Sequence, residues 1–127
     1  MKRIFYFTIL ACLTAAVISC QKEKPQPALA NISIQIEVQD NSVPVTNALV
    51  FLKASAIEFP GANTTVYDRS DTVSSVGKVT LDSLFRGNFY LYSAGFDGTD
   101  SVFGSKAIVL TEADDNQLIE IRLDVSK

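Results

Sequence analysis

The sequence predicts an all-β protein, a single antiparallel β-sandwich of seven strands, on three observations. From Ile32 to Val38 apolar and polar residues alternate strictly, which is the period of a half-buried strand. Similar short segments recur about every 8–12 residues and are separated by Gly, Asn and Asp, as in sandwiches and small barrels. Beyond the start of the chain, apolar positions nowhere recur at helical spacing over about ten residues.

Each predicted strand is rich in β-branched or aromatic residues and ends at turn-forming residues. The segment Phe89 to Ala94 is the strongest, and the last strand again alternates with a period of two. The strand candidates are, in order, 32–38, 48–54, the short pair 64–67 and 71–74, then 78–81, 89–94, 106–110 and 117–125. The predicted turns and loops are 40–42, 57–63, 76–77, 86–88, 95–101 and 111–116.

The first nineteen residues have the layout of a secretory signal peptide. Lys2 and Arg3 are followed by an apolar core shorter than the roughly 20 residues that a membrane span needs. The core ends in Val17-Ile18-Ser19-Cys20, which resembles a bacterial lipobox. That resemblance implies cleavage between Ser19 and Cys20 and acylation of the Cys20 thiol. An ordinary cleaved signal and an uncleaved signal anchor stay open as alternatives.

The chain therefore divides into a lipoprotein signal peptide (1–19), a lipidated Cys20 with a flexible tether (20–30) and a β-sandwich domain (31–127). The tether contains two prolines and alternating charges, which favour an extended, solvated segment. The leader resembles lipoproteins of the Bacteroidota, which implies a place in the bacterial cell envelope, on the outer membrane, with acyl chains as the membrane contact. Glu23 is flanked by lysines, so the surface and periplasmic faces both stay open.

Composition excludes several classes of function. The chain has no His, which removes Ser-His-Asp catalysis and imidazole metal ligands. A net charge of −3 without a basic cluster argues against nucleic acid as a partner. Two cysteines cannot build a disulfide framework or a four-thiolate zinc site. Neither a nucleophile elbow nor a phosphate-binding glycine loop occurs in the sequence. We therefore expect no catalytic residue, no cofactor and no enzyme activity.

Turn and strand motifs across residues 32–125 resemble carboxypeptidase regulatory-like and Cna protein B-type domains. The matching segments are Ile36-Glu37-Val38-Gln39-Asp40, Val43 to Val50, Gly77-Lys78-Val79-Thr80-Leu81 with Leu84, and Gly87-Asn88-Phe89-Tyr90-Leu91. The resemblance implies a transthyretin-like sandwich, related to the immunoglobulin-like class, and a fibronectin-like sandwich is the alternative. These motifs specify turns and core positions and carry no chemistry.

Two departures from the family pattern bear on its details. Ser74-Ser75 replaces the family's Thr-Asp before the Gly77 turn, so we expect a different cap there. Cna-type domains often cross-link a Lys of the first strand to an Asn or Asp of the last. Residues 32–38 contain no Lys, so this bond is not predicted, and Lys53 with Asn116 is the one substitute considered.

Tyr90 and Tyr92 form the candidate binding face. If Phe89, Leu91 and Ser93 point inward, both tyrosines lie on the outer face of the sheet, where they can stack on a sugar or anchor a protein. Cross-strand pairing on a sheet face also enriches Tyr and is the structural alternative. Four further phenylalanines lie near predicted loops, where we expect them to cap the ends of the sandwich, with one or two of them at an exposed tip as the alternative: Phe59, Phe85, Phe96 and Phe103.

Two acidic segments are weak candidates for chemistry. Asp97 and Asp100 flank Gly98-Thr99 and resemble a fragment of a calcium loop, yet a full site needs six or more oxygen ligands and an ordinary hairpin turn explains the segment. The carboxylates of 112–115 are expected to form a solvated loop rather than an acid–base pair. No metal site is predicted.

These observations together predict a lipid-anchored cell-envelope β-sandwich that acts as a non-catalytic binding or interaction module. The expected partner is an unknown envelope protein or a glycan. The alternative is a structural or accessory subunit of a surface fibre or adhesin assembly, in which a sheet edge accepts a donor strand.

Overall fold

The computed structural model describes residues 30–127, of which 59% lie in strands, in two sheets that pack as a β-sandwich. The predicted signal peptide, Cys20 and nearly all of the tether lie outside the described residues. The strands are β1 (Ile32–Asp40), β2 (Val43–Pro44), β3 (Leu49–Ala54), β4 (Arg69–Thr72), β5 (Lys78–Leu84), β6 (Gly87–Asp97), β7 (Asp100–Leu110) and β8 (Leu118–Asp124). Within residues 30–127 no helix is long and apolar enough to cross a bilayer.

Strand β1 lies in the middle of the first sheet, sheet A, and supplies much of the core. It pairs with β8 on one edge and with β5 and β2 on the other. Its apolar side chains alternate inward, and Ile32, Ile34, Ile36 and Val38 are all fully buried. Sheet B has the order β4-β3-β6-β7 and covers the same core. The predicted sandwich is confirmed.

One strand pair differs from the antiparallel prediction. β1 and β8 run parallel, in register from Ser33 with Leu118 to Gln39 with Asp124. Parallel neighbours cannot be joined by a hairpin and need a long connection. Here the connection is the whole of the chain between them, β2 to β7, so no local sequence pattern reveals the pairing.

Two local predictions are wrong. Residues 64–67 do not form a strand, because the Asn63 carboxamide accepts hydrogen bonds from the Thr65 N–H at 3.2 Å and hydroxyl at 2.8 Å and caps a 3₁₀ turn, Thr64–Val66. Residues 95–101 are not a loop. β6 and β7 continue to a two-residue turn at Gly98 and Thr99, where Gly98 has a φ of 63° that a tight hairpin turn favours.

The turn before β5 is capped by Ser74, as the departure from the family pattern leads one to expect. The Ser74 backbone N–H bonds the Lys78 carbonyl, and the Gly77 N–H bonds the Ser74 carbonyl. The Ser74 hydroxyl accepts a further bond from the Val76 N–H at 3.4 Å. Gly77 has a φ of 79°, and a Cβ there would lie 2.6 Å from the Pro44 side chain, so this turn requires glycine.

β7 and β8 close one side of the sandwich. Phe103 and Ser126 exchange two backbone hydrogen bonds of 2.9 Å, which tie the end of β8 to the edge of sheet B. Gly104 permits this approach, since an added Cβ would overlap the Asp124 carbonyl oxygen and lie 2.9 Å from Val125. The closing contact therefore depends on the absence of a side chain at residue 104.

We predict that Gly104→Ala lowers the free energy of unfolding by about 1–3 kcal/mol, because the backbone of β8 must move to admit the methyl group. Urea denaturation followed by circular dichroism measures the loss. Ser105→Ala, at an exposed neighbouring position of β7, is the matched control and should change stability by less than about 0.5 kcal/mol. Equal stability of the two variants would contradict the proposed closing contact.

Candidate functional site

β6 places Tyr90 and Tyr92 on the outer face of sheet B, which the alternation of the sequence predicts. Phe89, Leu91 and Ser93 point into the core and are at most 6% exposed. The Ser93 hydroxyl donates to the Leu49 carbonyl at 3.1 Å, so this buried polar group is satisfied. A binding role for the two tyrosines stays a prediction.

The two tyrosines belong to an aromatic cluster, Phe51, Phe59, Tyr67, Tyr90 and Tyr92. Phe51 reaches it from β3, opposite Tyr92 in the strand register. Phe59 and Tyr67 reach it from residues 55–68, called here the covering loop. Ring centroids lie 5.5 to 6.0 Å apart in the five aromatic pairs. These separations are favourable for tilted and offset ring contacts.

The covering loop divides the cluster into a buried and an accessible part. Tyr92 is 5% exposed and Phe51 8%, because Tyr67 and Phe59 lie over them. Phe59 is 48% exposed and contacts Tyr90, which is half-buried. Tyr92 thus supports the surface, while Phe59 and Tyr90 are the aromatic rings that a partner can reach.

Asp68 fixes the end of the covering loop to β3. Its carboxylate accepts a hydrogen bond from the Ala54 N–H at 2.8 Å and lies 3.4 Å from the Lys53 ammonium group. The backbone adds a bond from the Asp68 N–H to the Leu52 carbonyl at 2.9 Å. The Ala54 hydrogen bond, together with the Lys53 charge, lowers the pKa of Asp68 below its ordinary value.

Tyr67 stabilises the covering loop by a hydrogen bond within the loop. Its hydroxyl donates to the Gly61 carbonyl at 2.8 Å, which closes the loop on itself. Burial, followed by the neighbouring Tyr92 and Tyr90 phenols, raises the pKa of Tyr67 above its ordinary value.

Beside Tyr67 lies a small cavity of about 100 Å³, lined by Phe51, Thr64, Tyr67, Asp68, Arg69 and Ser70. Arg69 is already engaged, since it donates to the Asp82 carbonyl at 2.6 Å.

The outer face of sheet B continues from the cluster as an apolar strip, Leu49, Phe96, Phe103 and Val109. Leu49 pairs with Ala94, which pairs with Phe103, so these side chains form one cross-strand row. The four members of the strip are 44% to 66% exposed. By alternation, the other outward residues of β6 and β7 are uncharged: Asn88, Ala94, Ser101, Ser105 and Ala107. Val109 lies six residues beyond Phe103 on the same face of β7, opposite Asn88. Exposed apolar side chains grouped on one sheet face are typical of interaction sites.

The outer face of sheet A has the opposite character. In its register Glu37 lies between Lys78 on β5 and Arg122 on β8. A shallow depression of about 310 Å³ is lined by Gln35, Glu37, Lys78, Glu120, Ile121 and Arg122. Gln39 donates to Glu37 at 2.6 Å, whereas its own carboxamide oxygen is buried without a partner among the described residues. The two faces of the sandwich thus differ sharply in polarity.

Asp97 and Asp100 lie opposite one another at the β6–β7 turn. Asp100 forms an ion pair with Lys127 at 2.6 Å, and this contact raises the pKa of Lys127. Within residues 30–127, no group of three or more acidic, His or Cys side chains is arranged to hold a metal ion. The hairpin geometry and the Lys127 contact account for both residues.

The carboxylates of the β7–β8 loop have structural partners. Asp114 accepts from the Thr111 N–H at 2.8 Å and caps the 3₁₀ turn Glu112–Asp114. Asp115 forms a two-bond ion pair with Arg86 from the β5–β6 turn, with Nε–Oδ1 at 2.9 Å. The hydrogen bonds from Arg86 lower the pKa of Asp115. This cluster therefore joins two loops and is not placed for acid–base catalysis.

Sequence reasoning missed three members of the aromatic cluster, Phe51, Phe59 and Tyr67. The phenylalanines assigned to the ends of the sandwich are exposed rather than capping: Phe59, Phe85, Phe96 and Phe103 are 48%, 47%, 66% and 49% exposed. Phe51 is the one that the sequence could have revealed, since it lies two residues from Leu49 and Lys53 on the same face of β3. How the covering loop folds over the sheet has no local signature.

Comparison with known proteins supports the fold. No protein-family model matches the sequence, and no curated protein does so either. Among solved structures, the group B streptococcus pilus 2b backbone protein aligns over 76% of this chain and 41% of its own, at 19% identity and a TM-score of 0.52. The chain thus spans less than half of that pilin, and the likeness concerns one β-sandwich fold.

Two weaker structural similarities have TM-scores below 0.5. The minor pilin GBS52 of Streptococcus agalactiae aligns at 8% identity over 76% of this chain and 44% of its own, with a TM-score of 0.48. The Pseudomonas aeruginosa protein PA1324, described as a candidate carbohydrate-binding protein, aligns at 13% identity over 78% of this chain and 90% of its own, with a TM-score of 0.49.

We predict that the covering loop becomes less firmly attached at low pH, because Asp68 is protonated and loses its contacts. Because the folded-state pKa of Asp68 is lowered, its stabilising contacts are complete above the ordinary value of about 4 and are lost as the pH falls through the lowered value. Tyrosine fluorescence reports this change, since the chain has no Trp and Tyr67, Tyr90 and Tyr92 are three of its 4 tyrosines.

Asp68→Asn should remove the acid-induced change in fluorescence and cost less than about 1 kcal/mol, because the ion pair is largely solvated. Asp71→Asn is the matched control, since within residues 30–127 the one side-chain hydrogen bond of this exposed carboxylate of β4 is with the neighbouring Thr72 N–H. An unchanged acid transition in Asp68→Asn would show that Asp68 does not hold the loop.

Proposed function

We propose that the chain is a lipid-anchored cell-envelope protein whose β-sandwich is a non-catalytic binding module, and that it binds a partner protein through the outer face of sheet B. The observation that carries this proposal is the combination of accessible rings, Phe59 and Tyr90, with the apolar strip on one sheet face. The outward residues of β6 and β7 on this face are uncharged, and Lys53 of β3 is paired with Asp68. Cores of protein interfaces are depleted in charge and enriched in aromatic residues.

A protein fits this face better than a glycan. Sugar recognition needs hydrogen-bonding groups placed around the aromatic ring. The polar groups nearest the cluster are already engaged: Asp68 with Ala54 and Lys53, and Arg69 with Asp82. Along the strip most neighbouring side chains are Ala and Ser, which offer little directional bonding, and Asn88 and Thr72 lie at separate positions, opposite Val109 and Leu49. A sheet face with accessible apolar side chains, on which the Lys53 charge is paired with Asp68, favours an apolar protein surface as the ligand.

The anchoring part of the proposal rests on the leader sequence. The lipobox-like Val17-Ile18-Ser19-Cys20 and the tether that follows it favour attachment by acyl chains on Cys20. Removing residues 1–19 would take away Lys2 and Arg3, so the exported protein would be more acidic than the net charge of −3 indicates. We propose the outer membrane of the bacterial envelope as its location.

A structural role in a surface assembly is the second candidate. It is favoured by the edge of β7, where sheet B ends without a neighbouring strand along most of its length within residues 30–127. In that role the sandwich would contribute a strand edge to an assembly, and the outer face of sheet B would contact the next subunit.

A photo-crosslinking experiment tests the binding face. A photoreactive phenylalanine analogue replaces Phe59 in the full chain, expressed in its source cells, and crosslinked products are identified by mass spectrometry. We expect a discrete protein adduct from position 59. The matched control is Leu118, which is similarly exposed, at 54%, but lies on sheet A, and it should give at least tenfold less of that adduct.

Phe59→Ala combined with Tyr90→Ala should abolish recovery of the same partner while the thermal unfolding midpoint falls only slightly, because Tyr92 and Phe51 keep the inner part of the cluster. Equal adduct yields from positions 59 and 118 would overturn the assignment of sheet B. A carbohydrate-reactive adduct in place of a protein would overturn the choice of a protein ligand.

Intact mass of the mature protein tests the anchor. We expect a chain that begins at Cys20 and carries acyl chains, and Cys20→Ala should lose membrane association and acylation. Ser19→Ala keeps a small residue before the cysteine and is the control that retains both. A free thiol at Cys20, or a mature chain that still begins at Met1, would overturn lipid anchoring while leaving the binding face intact.

A further inference from the structure

We propose that the edge of β7 between Ser105 and Val109 binds a second copy of this chain by antiparallel strand addition centred on Ala107. This inference rests on the backbone of sheet B and goes beyond the proposed partner protein, whose binding uses the side chains of the outer face. The two copies would form one continuous sheet across a two-fold axis, in which each copy contributes the same edge.

The direction of the backbone groups of β7 is fixed by its neighbours. Phe103 exchanges both of its backbone hydrogen bonds with Ser126, so its N–H and C=O point away from β6. Because these directions alternate along an antiparallel strand, the N–H and C=O of Ser105, Ala107 and Val109 also point away from β6. Phe103 to Ser126 is the one bridge on this edge among residues 30–127. The outward N–H and C=O groups of Ser105, Ala107 and Val109 therefore have no strand beside them within the described residues.

The other edges of the sandwich are protected. On β8, the Lys106 ammonium group caps the Arg122 carbonyl at 3.3 Å, and on β5, Arg69 caps the Asp82 carbonyl at 2.6 Å. Charged side chains at an edge are a common means of preventing strand addition. β4 spans only Arg69–Thr72 and carries charges at residues 69 and 71. Between residues 105 and 109, β7 carries one charge, Lys106, whose ammonium group is directed to β8. The outward residues of this segment, Ser105, Ala107 and Val109, are small or apolar.

The sequence of β7 is compatible with self-pairing in the register centred on Ala107. With Ala107 on the two-fold axis, Ser105 of each copy lies opposite Val109 of the other, and each of these residues donates one backbone bond and accepts one. Lys106 then lies opposite Ile108 of the second copy. A register centred on residue 106 would pair Ser105 with Ala107 and keep their backbone bonds, but it would place two Lys106 side chains face to face, which is destabilising. Charge therefore disfavours that register.

Disulfide crosslinking tests the register. In the full chain, Ala107→Cys places the new thiol opposite its own copy, with Cα atoms about 5.5 Å apart in a hydrogen-bonded pair, within the range that a disulfide spans. We expect a covalent dimer on a non-reducing gel after mild oxidation. Ser101→Cys is the matched control, because residue 101 has the same orientation on β7 but lies outside the pairing. The wild-type chain reports any crosslinking through Cys12 or Cys20.

A proline variant tests the hydrogen bonds. Ala107→Pro removes an N–H that β6 does not use, and proline is tolerated on an edge strand when its nitrogen faces outward. We expect a folded monomer by circular dichroism and sedimentation, whereas Ser101→Pro should keep the dimer. A folded Ala107→Pro variant with the wild-type oligomeric state, or equal crosslinking from residues 101 and 107, would overturn the proposal. If Ala107→Pro fails to fold, the crosslinking pair decides alone.

The tests of the β7 edge give their results independently of the proposed partner protein. Crosslinks from residue 107 join two copies of the same chain, whereas crosslinks from residue 59 identify a different protein. Loss of one adduct without the other therefore shows which of the two proposals has failed.

Discussion

The structure depends on the position of β1, which is paired on both edges and buried on one face. Its hydrogen bonds extend to β8, β5 and β2, and its isoleucines fill the space between the two sheets. Because side chains on a strand alternate, a shift of one residue in this strand would move four apolar side chains to the solvent and four polar ones to the core. The register of β1 therefore determines that of sheet A, and through Gln39 it determines where β8 ends, since the Val125 N–H bonds the Gln39 carbonyl at 2.8 Å.

Both sheets bury their inner faces in the same core, so the residues on their outer faces can differ in character. Sheet A carries alternating charges, such as Glu37 beside Lys78 and Arg122, which suit contact with water. Sheet B carries aromatic rings and the apolar strip, and the covering loop hides only part of them. The strip residues lie outside the shared core, and their exposure on the face of a sheet is the basis of the proposed contact with another molecule.

The sequence predicts the structural elements that depend on local residue patterns. It does not predict the features that depend on contacts between distant segments of the chain. Alternation alone indicates that Tyr90 and Tyr92 face outward, and turn residues locate most strand ends. The burial of Tyr92 depends on Phe59 and Tyr67, which a loop more than twenty residues earlier in the chain brings over it. The parallel pairing of β1 with β8 depends on opposite ends of the domain. The strand candidate 64–67 failed because a single capping residue, Asn63, outweighs the β propensity of Thr and Val.

The balance between apolar burial and the cost of association limits how tightly the surfaces of this domain can bind a partner in solution. Full burial of a large apolar side chain contributes about 1.5–3 kcal/mol, and the strip residues are already about half covered, so covering all four gives roughly 3–6 kcal/mol. Association of two free proteins costs an estimated 4–15 kcal/mol. The strip alone therefore gives weak binding, and net backbone hydrogen bonds at the β7 edge add about 0.5–1.5 kcal/mol each. Attachment to a membrane lowers this cost, because short tethers give effective concentrations in the millimolar range, at which a net binding free energy of about 4 kcal/mol gives half occupancy. The proposed anchor would therefore favour contacts at this face and this edge that are too weak to form between free proteins.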